Sequence, residues 1–158
     1  MEGTRPLLIE LQALTTPSVY GLPRRATNGI DYNRTTMLIA VLEKRGKIPL
    51  GSQDVYLNVV SGIRLVEPAV DLGSLLVIAS SFRNKSISKD LVVIGEVGLT
   101  GEIRSVNFID KRLKECEKMG FKKCIIPESN RKLLKEKYNM TIIGVRNINE
   151  ALKESEVI

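Results

Sequence analysis

The side chains that could do chemistry in this chain are lysines, serines and carboxylates, because its 158 residues include no histidine. A Ser-His-Asp or Cys-His catalytic arrangement and an HExxH zinc site are therefore excluded. Asp71, Glu96 and Glu102 are scattered along the sequence, and we expect no metal site from them. Cys116 and Cys124 are too few for a disulfide framework or a four-cysteine zinc site, so we expect buried, reduced thiols.

Positive charge is the other chemical feature. The 24 lysines and arginines exceed the 18 acidic residues, giving a formal net charge of +6, and the isoelectric point is about 9.4. The excess is greatest in the last third of the chain. This balance favours a polyanion such as nucleic acid as a partner, although lysine-rich solvated helices have a similar composition.

Two pairs of cations are candidates for phosphate contacts. Arg24 and Arg25 follow Pro23 in a long predicted loop, where two guanidinium groups could grip adjacent phosphates or simply face solvent. Lys44 and Arg45 lie in the last turn of a predicted helix. The helix dipole alone already favours cations there.

Arg34 is a fifth candidate because it lies in the first turn of that helix, where the dipole disfavours a cation. Its partner is expected to be Asp31, an acidic group of another subunit, or DNA. Aromatic residues make up only 4% of the chain and do not cluster, so the pattern favours contacts to the backbone of a duplex over stacking on single-stranded bases.

The pattern of apolar and turn residues predicts the elements that position these side chains. In the first two thirds of the chain, 15–31 is predicted as a long loop and 95–103 as tight turns that feed a strand. We predict strands at 6–14, 54–60 and 91–94, the last buried on both faces, and helices at 33–45 and from 68 to about 83.

The remaining residues alternate between helices and strands. Asn107 is the predicted N-cap of a helix that ends at Gly120; beyond it we predict strands at 122–126 and 140–145 and helices at 130–137 and 149–154. Crossover helices make these strands parallel. We therefore expect one α/β domain over 1–158, with a possible lobe boundary near 107.

No apolar run approaches the ~20 residues that a membrane span needs. We therefore expect a cytoplasmic protein without a membrane partner.

The segments around Glu67-Pro68-Ala69, 94–97 and 110–114 resemble the proteolytic domain of the Lon family. In that family a Gly-Pro-Ser-Ala-Gly helix start carries the nucleophilic serine, and a later helix carries the lysine that serves as its base. Without a gap, Ala69 takes the place of the serine and Arg112 that of the lysine. The resemblance implies an α/β Lon-protease-like fold of the ribosomal protein S5 domain 2-like topology.

These two replacements remove the catalytic groups of the Lon family. Ala69 has no nucleophilic oxygen, and an arginine with a pKa above ~12 cannot accept a proton. We expect Arg112 to pair with Asp71 instead. A displaced dyad would need Ser74, which lies almost two turns along the helix, or Ser80 or Ser81, together with Lys111 or Lys114.

Nearly the whole chain closely resembles the C-terminal Lon-like domain of the RadA (Sms) family of bacterial DNA repair proteins. The matching stretches include 2–14, 21–26, 40–45, 54–60 and 95–104. The resemblance implies a hexameric DNA-dependent ATPase that drives branch migration. The P-loop and Cys-x-x-Cys motifs of that family's other domains do not occur in this sequence, so we expect an excised C-terminal domain.

We therefore expect a catalytically inactive scaffold that needs no cofactor, supplies hexamer contacts and binds DNA without sequence preference. The expected DNA-binding residues are Arg24, Arg25, Arg34, Lys44 and Arg45. One alternative is an oligomerisation module without DNA contact. Another is a serine peptidase with a displaced Ser-Lys dyad.

Overall fold

Three strands form the first sheet of the computed structural model, which describes residues 1–158. They are β1 (Leu11–Pro17), β2 (Arg25–Asn28) and β3 (Gln53–Val59). The central strand β3 pairs antiparallel with β1 and parallel with β2. Its inward side chains Val55, Leu57 and Val59 are buried, because alternate residues of a strand face the same side of the sheet.

Two helices of the first half contribute to the same core as this sheet. Helix α1 (Tyr32–Lys44) begins after Asp31, whose side chain accepts the backbone N–H of Arg34. A single 3-10 turn, Pro68–Val70, leads into α2 (Asp71–Arg83), and the apolar stripe of α2 is buried. These elements confirm the predicted helices at 33–45 and from 68 to 83.

The second half contains a parallel sheet and a short antiparallel hairpin. The sheet has the order β4-β7-β8, and β5 and β6 form the hairpin. The elements are β4 (Leu91–Val93), β5 (Glu96–Val97), β6 (Ile103–Arg104), α3 (Ile109–Lys118), β7 (Lys123–Pro127), α4 (Glu128–Arg131), β8 (Thr141–Val145) and α5 (Ile148–Glu154). The expected α/β class and the parallel strands are confirmed.

Buried apolar side chains form two clusters. The larger has 23 residues and joins the first sheet to α1, α2 and α5. The smaller has 8 residues and lies between α3 and the second sheet. Cys116 and Cys124 both belong to the smaller cluster as free, buried thiols, which confirms the prediction for the cysteines.

Several predicted boundaries were wrong in the first half. Strand β1 covers 11–17 rather than 6–14, because its register on β3 pairs Leu11 with Val59 and Pro17 with Gln53. The predicted loop 15–31 accordingly contains the end of β1 and all of β2. Strand β4 is half-buried rather than fully buried, because it forms an edge of its sheet.

Two predictions for the second half were also wrong. The residue before α3 is Phe108, in the left-handed conformation with φ 60°, rather than Asn107. The predicted helix 130–137 is only the short α4, in which Asn130 is the one buried residue. Its side chain donates to the carbonyl of Val106 and accepts the N–H of Val106. A helix without a buried apolar face has little to stabilise it.

No helix of the structure combines the length and the apolar character that crossing a bilayer requires.

Replacing Gly29 should test the close approach between the start of α1 and the end of β3. Gly29 has φ +84°, and a Cβ there would lie 2.7 Å from both the Ile63 carbonyl oxygen and the Val59 Cγ2. We expect Gly29→Ala to lower the free energy of unfolding by about 2–5 kcal/mol, since positive φ and steric overlap both add cost. Urea denaturation measures the loss.

Gly21→Ala is the matched control, because Gly21 has φ +73° but nothing within 4 Å of the added Cβ. Its expected loss is about 1–2 kcal/mol, from the conformation alone. Equal losses for the two variants would contradict the steric argument.

Candidate functional site

A buried alanine, Ala69, occupies the position that resembles the nucleophilic serine of the Lon family. Ala69 lies in the 3-10 turn before α2 and is 6% exposed. Its carbonyl accepts the N–H of Gly95 at 3.0 Å, and the N–H of Leu72 donates to the carbonyl of Gly95 at 3.0 Å. The start of α2 is therefore bound on both sides to the segment that leads into the β5–β6 hairpin.

Arg112, at the position of the base, forms an ion pair with Glu67. Its guanidinium also donates to the carbonyl of Asn107 at 2.9 Å. Burial lowers the pKa of Arg112, and the carboxylate beside it compensates the charge. The predicted partner, Asp71, was wrong: Glu67 precedes the 3-10 turn and contacts α3, whereas Asp71 follows that turn and contacts α1 and β5.

Asp71 instead binds Arg34, and its carboxylate is almost completely buried. Arg34 Nε donates to Oδ1 at 2.8 Å, the Arg34 Nη2 contacts Oδ2, and the backbone N–H of Val97 donates to Oδ2 at 3.1 Å. The hydrogen bond to Asp71 raises the pKa of Arg34. Asp31 caps the helix through the Arg34 backbone rather than pairing with its side chain. The Arg34 guanidinium thus has its acidic partner within the fold.

The serines of α2 are bonded to backbone groups or to Thr15. Ser74 is fully buried and donates to the carbonyl of Val70 at 2.9 Å. Ser80 donates to the carbonyl of Lys85, and Ser81 accepts the N–H of Thr15. None of these hydroxyls bonds to the ammonium group of a lysine in the structure.

The two lysines considered for a displaced dyad contact other groups. Lys114 pairs with Glu136 at 2.7 Å, and the Lys111 ammonium lies 5.4 Å from the centre of the Phe108 ring. The structure contains no group of three or more Cys, Asp or Glu side chains that could hold a metal ion.

A cavity of about 360 Å³ adjoins the Glu67–Arg112 pair. Its apolar walls come from the segment before β1, the segment after β3 and the 3-10 turn. The apolar lining residues include Leu7, Ile9, Ile63, Leu65, Val66 and Val70. The position that resembles a protease site is thus a recess with apolar walls beside Glu67, which pairs with both Arg112 and the Met1 ammonium.

The β5–β6 hairpin is held by Glu102, which is exposed. Its carboxylate accepts the Thr100 hydroxyl, the Thr100 N–H at 3.0 Å and the Arg104 Nη2 at 2.8 Å. These hydrogen bonds, led by that of the Thr100 hydroxyl, lower the pKa of Glu102 to about 2. Thr100 and Glu102 therefore have a local structural role in closing the hairpin.

Four of the five predicted DNA-binding residues lie at one end of the first sheet. Because β2 and β3 are parallel, α1 must return the chain to the end where both strands begin. This places Arg24 and Arg25, at the start of β2, at the same end of the sheet as Lys44 and Arg45, at the end of α1. Arg34 lies at the opposite end of the helix.

Arg25 differs from its neighbours because its guanidinium binds the protein itself. Nη2 donates to the carbonyl of Leu50 at 3.0 Å, and Nη1 contacts the carbonyl of Gln53. Arg24 is fixed only through its backbone: its N–H donates to Asp54 Oδ1 at 2.7 Å, and its carbonyl accepts the N–H of Val55 at 2.9 Å. Its side chain is exposed. Arg25 shapes the turn, whereas Arg24 is available to a partner.

Lys47 is an exposed cation at the same end that the sequence analysis missed. It follows Arg45 by two residues in the connection to β3 and has φ 56°. The Arg-Gly-Lys run at 45–47 was the available signal. We call Arg24, Lys44, Arg45 and Lys47 the basic end; none of the four forms an ion pair in the structure.

The family model described as "Subunit ChlI of Mg-chelatase" matches residues 11–130, about three quarters of the chain. The chain belongs to the ChlI family. Its resemblance to the RadA family is confirmed by curated relatives, each named DNA repair protein RadA. The relative from Halalkalibacterium halodurans is 52% identical over 153 residues, which are 97% of this chain and 34% of the relative.

Two further RadA relatives match over nearly the same span. The protein from Bacillus subtilis is 50% identical over 98% of this chain and 34% of its own length. That from Streptococcus pneumoniae is 45% identical over 98% of this chain and 37% of its own length. The chain therefore spans about a third of the length of these relatives.

Removing Arg34 should destabilise this ChlI-family domain by leaving a buried carboxylate unpaired. The Asp71 side chain is 2% exposed and that of Arg34 31% exposed. We expect Arg34→Met to lower the free energy of unfolding by about 3 kcal/mol, as measured by urea denaturation. Lys44→Met, which removes an exposed cation from the same helix, should change it by less than about 0.5 kcal/mol. Similar small effects for both variants would contradict a structural role for Arg34.

The hairpin gives a second prediction. Thr100→Val should raise the pKa of Glu102 from about 2 toward 4.5, because the largest cause of the depression is removed. Since the folded-state pKa is lowered, the stabilisation by Glu102 is present above the unfolded-state pKa and is lost as the pH falls through 2. An NMR titration of the Glu102 carboxyl carbon measures this pKa in the unaltered protein and in Thr100→Val.

Thr36→Val is the control for that titration. The Thr36 hydroxyl donates to the carbonyl of Asn33 on α1, remote from the hairpin. An unchanged pKa of Glu102 in Thr100→Val would show that another group lowers it.

Proposed function

We propose that this chain is a non-proteolytic scaffold domain of a RadA-type DNA repair ATPase in the cytoplasm. It contributes subunit contacts to a hexamer and sequence-independent contacts to DNA during branch migration. The DNA-binding part of the proposal rests on the basic end, where exposed cations without ion pairs lie at one end of the first sheet. The remaining two thirds of the relatives' length would supply the ATPase.

The geometry of the basic end suits phosphate binding. Lys44 and Arg45 lie at the C-terminal end of α1, where the helix dipole favours cations. Arg24 and Lys47 extend from the neighbouring turns. Contacts of this kind neutralise phosphates and read no base edges, so they position a protein on DNA without specifying a sequence.

A ring would strengthen such contacts. Each domain offers only a few cations, and binding by several linked copies multiplies a weak affinity without any new contact. The hexamer is therefore part of the proposed mechanism, since it turns sequence-independent phosphate contacts into a useful affinity.

Four features support the absence of peptidase activity. Ala69 lacks a nucleophilic oxygen, and Arg112 is paired with Glu67. The buried hydroxyl of Ser74 already donates to a backbone carbonyl. A nucleophilic serine needs a neighbouring base within about 2.6–3.2 Å, and Lys111 and Lys114 contact other groups.

Binding of a fluorescently labelled duplex tests the proposal. We expect anisotropy titrations to show an affinity that falls steeply with salt concentration. Lys44→Gln/Arg45→Gln should weaken binding and reduce the slope of log K against log salt by about 1 for each phosphate that the variant no longer neutralises. Arg25→Ala is unsuitable here, because that guanidinium bonds to backbone carbonyls.

Lys135→Gln/Lys137→Gln is the matched control. It removes the same charge from exposed positions beyond α4 and should leave the slope nearly unchanged. Equal effects of the two variants would contradict a localised DNA surface. An assembled protein that binds no duplex at low salt would be an oligomerisation module, and labelling of a serine by a fluorophosphonate would overturn the non-proteolytic assignment.

A further inference from the structure

Two exposed cations of the second half lie at the carboxyl ends of neighbouring parallel strands. The last residues of β7 and β8, Pro127 and Val145, lie opposite each other. Arg146 follows β8 directly at this edge of the sheet, and Lys132 follows α4, the short helix that begins where β7 ends. Both cations are exposed and form no ion pair; we call Lys132 and Arg146 the second basic patch.

A carboxylate beside this patch is already neutralised. Glu128 accepts hydrogen bonds from Arg131, at 2.7 Å from Nε and 2.8 Å from Nη2. This pair lies against β8, because a Cβ at Gly144 would overlap the Glu128 carboxylate. The hydrogen bond from Arg131 is the largest cause that lowers the pKa of Glu128. The charges of Lys132 and Arg146 lower it further, yet neither cation is paired with this acid.

Two further acidic side chains near Arg146 are also engaged. Glu150 accepts the backbone N–H of Arg146 at 2.8 Å. Glu102, whose backbone bridges to the residue after Arg146, binds Thr100 and Arg104 within the hairpin. Neither carboxylate forms an ion pair with Arg146. The positive charge of the guanidinium is therefore available to a partner.

The second basic patch is continuous with the basic end. The Asn149 side chain donates to the carbonyl of Arg45 at 3.3 Å, so the start of α5 contacts the end of α1. Three residues span at most about 11 Å, which leaves the backbone of Arg146 within about 20 Å of that of Arg45. The hairpin joins the two, because the N–H of Ile103 donates to the Arg146 carbonyl at 2.8 Å and a Cβ at Gly101 would lie 3.2 Å from the Arg45 Cβ.

We propose that the second basic patch binds the phosphate backbone of the same DNA duplex as the basic end. This inference deepens the proposed function and rests on it, because it extends the DNA-binding surface from the first half of the domain to the second. A band of cations along one face is the electrostatic footprint of nucleic-acid binding. Its contacts to phosphates position the protein and read no base.

The length of the band suits a duplex. The grooves between the two phosphate backbones of B-DNA are about 6 and 12 Å wide. Cations whose backbones lie up to about 20 Å apart, each on a long side chain, can reach phosphates on both sides of one groove. Their spacing is fixed, since backbone hydrogen bonds join the hairpin to the segment that carries Arg146.

Anisotropy titrations of a labelled duplex test the inference. Lys132→Gln/Arg146→Gln should lower the slope of log K against log salt by about 2 and weaken binding at 0.1 M salt by about tenfold or more. The variant should keep the urea midpoint of the unaltered protein, since it breaks no ion pair. Lys132→Arg/Arg146→Lys keeps both charges and should restore the slope.

Lys122→Gln/Lys123→Gln is the matched control. It removes the same charge from two exposed positions where β7 begins, at the opposite end of that strand from the second basic patch. The slope should be nearly unchanged. Equal effects of the two variants would overturn the inference, because net charge alone would then explain the loss. An unchanged slope in Lys132→Gln/Arg146→Gln would overturn it as well.

Combination with Lys44→Gln/Arg45→Gln tests whether one duplex contacts both regions. The slope reductions should add, to about 4 for the four substitutions. A combined reduction no larger than that of the basic-end variant alone would overturn the inference. So would a patch variant that impairs assembly and leaves DNA binding unchanged, because the patch would then contact an acidic surface of another subunit.

The same titrations separate this inference from the proposed function. If only the basic-end variant lowers the slope, DNA contact is confined to the first half of the domain, and the proposed function stands without the second basic patch. If the unaltered protein shows no salt-dependent binding of the duplex, both the inference and the proposed DNA contact are wrong.

Discussion

A buried carboxylate determines how the first half of the domain is arranged. Asp71 is 1% exposed, and a charge in that position is tolerated only when it is paired and hydrogen-bonded. Its partners are the guanidinium of Arg34 on α1 and the N–H of Val97 on β5. One side chain at the start of α2 thus ties together two helices and the hairpin. The orientation of α1 in turn places Lys44 and Arg45 at the basic end.

Arg112 has a structural role in the same region. Arginine at position 112 cannot act as a base, but its fixed charge and several donors suit an ion pair with Glu67 and a bond to the carbonyl of Asn107. The adjoining recess keeps its apolar walls.

Much of the fold could be predicted because its patterns are local. The apolar spacing within α1 and α2, and the glycine-rich turns of the hairpin, depend on neighbours in the sequence. The limits of β1 depended instead on its register against β3. The start of α3 depended on the positive φ of Phe108, and no N-cap pattern indicates such a conformation. The short α4 reflects a tertiary bond between Asn130 and Val106.

From the sequence alone, histidine chemistry could be excluded, the RadA resemblance could be recognised, and alanine and arginine could be read at the two positions that resemble the Lon dyad. Those conclusions need only residue identity and order. Only the folded chain decides which cations remain outside ion pairs, because these pairs form between residues distant in sequence. Arg34 pairs with Asp71 and Arg112 with Glu67, and residue type alone does not select among several possible acids. Only the packing of the helices brings one carboxylate within reach of each guanidinium.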